Sequence, residues 1–405
     1  MISELVRRTS LRRGLIGVAG LMLALLAACQ PQTPVPPSMT AVPPTSTVIP
    51  PTAQAASAQP ATATPFGVLN FQLGQGFGAQ KGFWTVYFTA PTGSRDPATY
   101  HGGVDEALAS AIAGTQRTID IAAYEFNSPA LTQALLEAKA RGIRIRMVTD
   151  NEDGLGDEDS TLGQLQAAGI PVVTDERSAL MHDKFIILDG QVVWTGSWNL
   201  TINDTYRNNN NAIALRSQKA VENYQTEFDE MFIEGRFGPT SPVNTPNHVF
   251  AQDDTVVEVY FAPEDAVIDQ IISTVSGAQE SVRFMTFSFT VDEIGSALLE
   301  RAARGVDVQG IFERTGSETQ HSEFGRLYCA GLPVRQDGNP FVLHHKVFVI
   351  DGQTVVTGSF NISANATNSN DENLIIIHDP DLAAQYLAEF DRRWAESRLP
   401  SDFSC

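Results

Sequence analysis

Residues 182–199 read HDKFIILDGQVVWTGSWN, and residues 344–361 read HHKVFVIDGQTVVTGSFN. Set against each other at an offset of 162, ten of the eighteen positions are identical: His, Lys, Asp, Gly, Gln, Val, Thr, Gly, Ser and Asn. The retained residues are mostly polar, while the apolar residues between them vary, Ile187 against Val349 and Leu188 against Ile350. Packing alone favours the reverse, because hydrophobes of similar size serve almost equally well in a core. The retained polar set points to chemistry.

Each copy has the same local logic. An apolar run (Phe185 to Leu188; Val347 to Ile350) follows His-x-Lys, Asp-Gly turns the chain, and a second apolar run returns to Thr-Gly-Ser-x-Asn. Asp-Gly between two apolar runs predicts a β-hairpin. Strand alternation puts His182 with Lys184 on one face and His344 with Lys346 on the other copy's equivalent face. Asp183 and His345 occupy the variable position between them and point the opposite way. Gly-Ser-x-Asn then comes back beside the start of the strand.

H-x-K-x4-D followed by G-S-x-N, present twice, resembles the phospholipase D superfamily of phosphodiesterases, and the likeness extends over roughly residues 80–400. The resemblance implies an α/β fold of two similar sandwich halves related by a pseudo-twofold axis, with one active site at their interface. It also places Asp189 and Asp351 in the catalytic motif. Read as residues, each opens an Asp-Gly turn well beyond its His, which makes it a turn former or support rather than a proton carrier.

The halves match beyond the hairpins. WTVYFTAP (84–91) echoes VEVYFAP (257–263), and the stretch from Ile119 to Val148 echoes that from Val282 to Ile311. In each, an apolar strand leads to an amphipathic helix and another strand, which predicts α/β layers. Ser128-Pro129 and Thr290 read as helix starts, and Gly142 and Gly305 as stops. We expect an N-terminal domain over 67–236, a linker over 237–253 and a C-terminal domain over 254–405.

Upstream, residues 1–29 read as an export signal. Arg7, Arg8, Arg12 and Arg13 precede the apolar run 14–28, which is short for a transmembrane helix. Leu26-Ala27-Ala28-Cys29 is similar to a bacterial lipobox, which implies cleavage and lipidation at Cys29 and an extracytoplasmic, membrane-anchored protein. Residues 30–66, rich in Pro, Thr and Ala, read as an extended tether. Of the three cysteines, Cys329 and Cys405 remain, either as a disulfide or as two free thiols.

Charge bounds the partners. Lys and Arg number 27 against 47 Asp and Glu, a net −20. Without the leader's four Arg and one Glu the remainder is near −23. Nucleic-acid affinity rests on cations that neutralise phosphates, and no basic stripe is evident, which disfavours a nuclease. DNEDGLGDEDS (150–160) lacks the spacing of an EF-hand loop and reads as a solvated loop. His101 and His321 have no motif around them and read as structural.

For phosphodiester chemistry the two histidines suit a nucleophile and a general acid. Lys184 and Lys346 would hold the nonbridging oxygens, with Asn199 and Asn361 as further donors and Ser197 and Ser359 helping to position loop or substrate. Nothing here needs a metal or a cofactor, and with both motifs in one chain a monomer suffices. The resemblance implies a phosphohistidine intermediate, resolved by water or by transfer to an alcohol. It also implies a carboxylate after Gly-Ser-x-Asn, reaching across the pseudo-dyad. The second half has Glu372 in Asn370-Asp371-Glu372-Asn373, whereas the first has Asn210 at the same distance from its His. Glu372 would support His182 as nucleophile, and Asn210 would face His344 as acid. The expected function is phospholipid hydrolysis; a metal-independent endonuclease, a cardiolipin-synthase-like transferase and a non-catalytic scaffold are the alternatives.

Overall fold

The computed structural model describes residues 67–401 and 403–405. The export signal, Cys29 and the tether expected over 30–66 lie outside the described residues. Among the described residues, seventeen strands fall into two sheets. The first contains β1 (Leu69–Leu73), β2 (Gly76–Lys81), β3 (Trp84–Thr89), β4 (Thr118–Ala123), β5 (Arg144–Thr149), β6 (Val172–Thr174), β7 (Lys184–Leu188), β8 (Val192–Gly196) and β9 (Asn211–Leu215), in the order β1-β2-β3-β9-β8-β7-β4-β5-β6. The second contains β10 (Val249–Gln252), β11 (Thr255–Ala262), β12 (Ser281–Thr286), β13 (Asp307–Phe312), β14 (Val334–Gln336), β15 (Lys346–Ile350), β16 (Thr354–Gly358) and β17 (Glu372–Ile377), in the order β10-β11-β17-β16-β15-β12-β13-β14. Apart from one extra edge strand, the second order repeats the first. Strand β10 lies within the stretch expected as a linker.

Both expected hairpins form, β7 against β8 and β15 against β16. Their turns place two consecutive residues at positive φ, Asp189 (55°) with Gly190 (63°) and Asp351 (53°) with Gly352 (62°). This is the twist-compatible two-residue turn that Asp-Gly favours. Ser128 caps the helix Pro129–Ala140 as expected, accepting from the Leu131 N–H. Thr290 does not cap its helix, which starts at Asp292 after Val291; the Thr290 N–H instead donates to Ile362 O at 2.8 Å.

Alternation along the central strands builds a layered core. Phe185 and Ile187 face one core while Ile186 and Leu188 face another; Val347 and Val349 split from Phe348 and Ile350 in the same way. Residues of both sheets, together with Tyr224 and Phe228 of the helix Gln218–Asp229 and Tyr386 and Phe390 of the helix Pro380–Glu396, share the middle core. The outer face of each sheet packs on its own helices. Strands buried on both faces need unbroken apolar runs, which is what FIIL and VFVI supply.

The disulfide alternative is the one that forms: Cys329 and Cys405 are bonded, with Cα atoms 5.5 Å apart. Phe403 packs edge-on against Phe324 and Tyr328 beside it. Among the described residues no helix is long and apolar enough to cross a membrane.

The middle core contains an unusual acidic group. Ligand oxygens of Glu227, Glu230 and Glu264 lie within 4.8 Å of one another, and among the described residues no Lys or Arg pairs with them. Burial, with repulsion from Glu264, pushes the Glu227 carboxyl well up; burial, with repulsion from Asp265 and Glu230, raises that of Glu264 to about 9, and burial raises that of Glu230 to about 7 against the donors that bond it. In this window the folded state keeps protons that the unfolded chain has released above pH ~4.3, so stability falls as pH rises. The expected outcome is a lower melting temperature at pH 8 than at pH 5.5, with Glu264→Gln narrowing that gap. Calorimetric scans of both proteins at both pH values check it, and an unchanged gap counts against the account of raised carboxyls.

Candidate active site

The two His-x-Lys segments start β7 and β15, and each is completed by the opposite half. The His182 N–H donates to Asp371 O at 3.0 Å and the Asp371 N–H to Leu180 O at 3.0 Å. Reciprocally, the His344 N–H donates to Asn209 O and the Asn209 N–H to Val342 O, both at 2.9 Å. These backbone bridges deliver Glu372 to His182, with Oε2 2.7 Å from Nδ1. They deliver Asn210 to His344, with Oδ1 3.0 Å from Nδ1. The cross-dyad pairing expected for both histidines is the arrangement found. Each acceptor holds the hydrogen on Nδ1 and leaves Nε2 as the ring's other face.

All four motif side chains are almost fully buried, His182 and His344 at 4% and 7% exposed. Lys184 Nζ donates to His182 O at 2.9 Å and Lys346 Nζ to His344 O at 3.0 Å. Each ammonium uses one of its three hydrogens in this bond. Tyr124, just past β4, lies 4.9 Å from Lys184 Nζ and edge-on to His182; Phe287, just past β12, stands in the same relation to Lys346 and His344. Asn199 and Asn361 sit on the returning strands' loops, each with a buried Oδ1 that has no protein partner.

Several expected roles change. Ser197 and Ser359, expected to help position loop or substrate, are hydrogen-bonded to the groups behind the histidines. Ser197 Oγ donates to Asn210 Oδ1 at 2.9 Å, and Ser359 Oγ donates to Glu372 Oε2 at 2.7 Å. Each also accepts a backbone N–H, from Asn211 and Asn373 respectively. Asp189 and Asp351 stand at the far ends of their strands, roughly 16 Å along the chain from the lysines. Asp189 accepts the N–H groups of Gln116, Arg117 and Thr118, and Asp351 those of Gln279, Glu280 and Ser281. Their partial burial would raise both carboxyls, but these donors outweigh it and hold them below the usual range. They cap the start of β4 and β12, so the turn reading replaces the catalytic one.

The loop at 150–160 is not simply solvated. Asp150 is 2% exposed, caps the helical turn Asn151–Leu155 and accepts the Met181 N–H at 3.1 Å. It therefore pins the residue before His182. Sequence reading also passed over Asp204 and Glu125. Asn199 Nδ2 donates to Glu125 Oε2 at 3.4 Å, and Asp204 Oδ2 lies 3.7 Å from His344 Nδ1. Aligning the halves at 162 sets Asp204 opposite Ala366, the one available signal for it.

Electrostatically the site is primed for an anion. Burial, then the two lysines, drives both catalytic-motif histidines well below their ordinary value. Burial also lowers Lys184 to about 8, and burial with repulsion from Lys184 lowers Lys346 well below its usual range. Burial raises Glu372 to about 7 against the pull of both lysines. An incoming phosphate favours the charged forms of the cations, so binding takes up protons. Calorimetry of inorganic phosphate binding at pH 7.5, in buffers of differing ionisation enthalpy, should show uptake of about one proton. Lys346→Met should lose most of it; binding without proton uptake would remove the account.

The comparisons agree with this geometry. The sequence profile of the family described as cardiolipin synthase, PLD-like domain, matches twice, over residues 108–232 and 271–394. A mitochondrial cardiolipin hydrolase of Xenopus tropicalis is 38% identical over 119 residues, covering 29% of this chain and 56% of that protein. A phospholipase D of Rickettsia conorii is 34% identical over 141 residues, covering 35% of this chain and 70% of the relative. The chain thus spans just over half the length of the first curated relatives it matches. A phosphatidylserine synthase of Haemophilus influenzae shares the fold at a TM-score of 0.56 and 12% identity, covering 74% of this chain and 86% of that one. With the duplicated motif, two matching sheets and a profile match in each half, this chain belongs to the phospholipase D superfamily.

Proposed function

We propose that this chain is a phosphodiesterase acting on phospholipids, with His182 as nucleophile and His344 as general acid. The observation that carries the assignment is the unequal backing of the two rings: a carboxylate at 2.7 Å from His182 Nδ1, an amide at 3.0 Å from His344 Nδ1. His182 Nε2 attacks phosphorus, forming the P–N bond, and positive charge develops on its ring. Glu372 offsets that charge through the Nδ1 hydrogen bond. The bond from phosphorus to the leaving oxygen breaks as His344 Nε2 gives that oxygen a proton. Neutral His344 then takes a proton from water while the water oxygen attacks phosphorus, the P–N bond breaks and His182 is regenerated. Lys184 and Lys346 neutralise the nonbridging oxygens throughout.

The names of the relatives, cardiolipin hydrolase and phospholipase D, support a lipid substrate. So does the chain's net charge of −20, which opposes a polyanion such as DNA. Purified full chain should hydrolyse phospholipid vesicles and leave single- and double-stranded DNA intact. With His182 as the nucleophile and His344 as the proton donor, His182→Ala and His344→Ala should each lower turnover by ~10³ or more without lowering the melting temperature. Activity should survive EDTA, because the two lysines supply the cationic charge. Cleavage of DNA in preference to lipid, or near-native turnover by either variant, would overturn the assignment.

We also infer export and anchoring through Cys29, from the leader and lipobox-like residues 26–29. Acyl chains at Cys29 would be the main membrane attachment, and stable attachment takes more than one chain. In cells, Cys29→Ala should move the protein out of the membrane fraction or block its maturation. Unchanged fractionation sinks the anchoring proposal while leaving the chemistry untouched.

A further inference from the structure

The two halves back their histidines differently, and the difference involves two positions rather than one. In the second half Glu372 sits behind His182 and Ala366 occupies the short helix Ala364–Asn368. In the first half Asn210 replaces the glutamate, and Asp204 takes the alanine's position in the short helix Ile202–Tyr206. Asp204 is 3% exposed, and the one titratable cation within ion-pair distance of it among the described residues is His344. A buried carboxylate with no Lys or Arg partner is costly unless it has a task or a dense set of donors.

Its donors define the task. Asn210 Nδ2 donates to Asp204 Oδ1 and to its backbone O, both at 3.1 Å. Asn208 Nδ2 also donates to Oδ1, at 2.5 Å, and the Asn199 N–H donates to Oδ2 at 3.1 Å. With its NH2 group held by Asp204, Asn210 can only turn its carbonyl oxygen to His344 Nδ1. A reversed amide would set two donors against a protonated ring. Asp204 Oδ2 meanwhile lies 3.7 Å from the same Nδ1, close enough to offset charge on the imidazolium.

We propose that Asp204 is the positioning residue for His344, standing in for the glutamate missing at position 210 and supporting the ring both through Asn210 and through its own charge. This rests on the phosphodiesterase reading, in which His344 must carry a proton to the leaving oxygen. The groups facing His344 are otherwise cationic or neutral: Lys346 and His345 on its own segment, Lys184 and His182 from the opposite half, and the Phe287 ring. Glu372 is engaged with His182 and Ser359. Asp204 is therefore the carboxylate placed to keep His344 protonatable among two lysines, and each lysine also feels its charge.

The fold itself supplies the test variant, since Ala366 shows that alanine is accommodated at this position. In Asp204→Ala the His344 pKa should drop by about one unit, because an opposite charge within ~4–6 Å typically shifts a group by one unit or more. The readout is the imidazole NMR titration of the full-length protein saturated with inorganic phosphate, which needs no turnover. With bis(p-nitrophenyl) phosphate, kcat should fall ~10–100-fold with KM little changed, below the ~10⁴ cost of losing a carboxylate bonded directly to a catalytic imidazole. The alkaline edge of the rate profile should move to lower pH. The double variant Asp204→Ala with Asn210→Glu rebuilds the Ala366–Glu372 arrangement and should restore both the pKa and most of the turnover. An unchanged His344 pKa in Asp204→Ala, or a double variant no better than the single, overturns the proposal. Wild-type protein inactive on every phosphodiester would instead strike the phosphodiesterase reading, with the titration still deciding what Asp204 does to His344.

Discussion

Everything in this molecule depends on an exchange of short segments between its halves. The strand carrying each His-x-Lys is continued by two backbone hydrogen bonds to the opposite half, Leu180–His182 with Asp371 and Val342–His344 with Asn209. Buried side chains lock the same seam. Asn211 Oδ1 accepts from Thr357 and from Tyr386, while Asn373 Oδ1 accepts from Thr195 and Tyr224. Parting the halves would break all of these bonds and expose the shared apolar core to water. The seam is thus held by polar bonds as well as by the shared apolar core, and it is the same seam that brings His182 and His344 to their backing groups.

Pseudo-symmetry gives the site its shape, and departures from it give the two histidines separate identities. The surroundings of the two rings differ accordingly. Glu372 and Asn210 differ by a charge at equivalent places, and Asp204 adds a charge from another. A second departure lies on the opposite face of the same strands. His345, between its His and Lys, bonds Asn211 and Glu389, and Glu389 is paired with Arg392 and Arg393. The equivalent set in the first half is Asp183, Asn373, Glu227, Glu230 and Met231, so cations are replaced by carboxylates and an apolar residue. One half resolves its buried charge by ion pairing, and the other by holding protons.

Much of this was legible in the residues. Asp-Gly between apolar runs specified both hairpins, because few residues tolerate two successive positive φ values and the turn twist must match the strands. Retained polar residues at one offset identify His182, Lys184, His344 and Lys346, and the departure at 210 is visible in the same alignment. The Asp-Gly signal also marks Asp189 and Asp351 as turn residues, against the catalytic place that the family motif gives them. Which distant N–H groups their carboxylates accept, and that Ser197 and Ser359 bond Asn210 and Glu372, no local pattern reveals.

What the sequence by itself determined, then, was what repeats locally: strand and helix periods, the hairpin turns, the duplicated chemistry and the acidic balance. Those follow from short-range sterics and from composition. Only the tertiary structure decided which further partners the buried polar groups and the cysteines take. It committed Ser359 to Glu372, Asp150 to Met181, Asp204 to Asn210 and His344, and Cys329 to Cys405. The reason is physical: a buried polar atom takes whichever partner the packed chain brings within ~3 Å, and that partner is set by the docking of layers rather than by spacing along the chain.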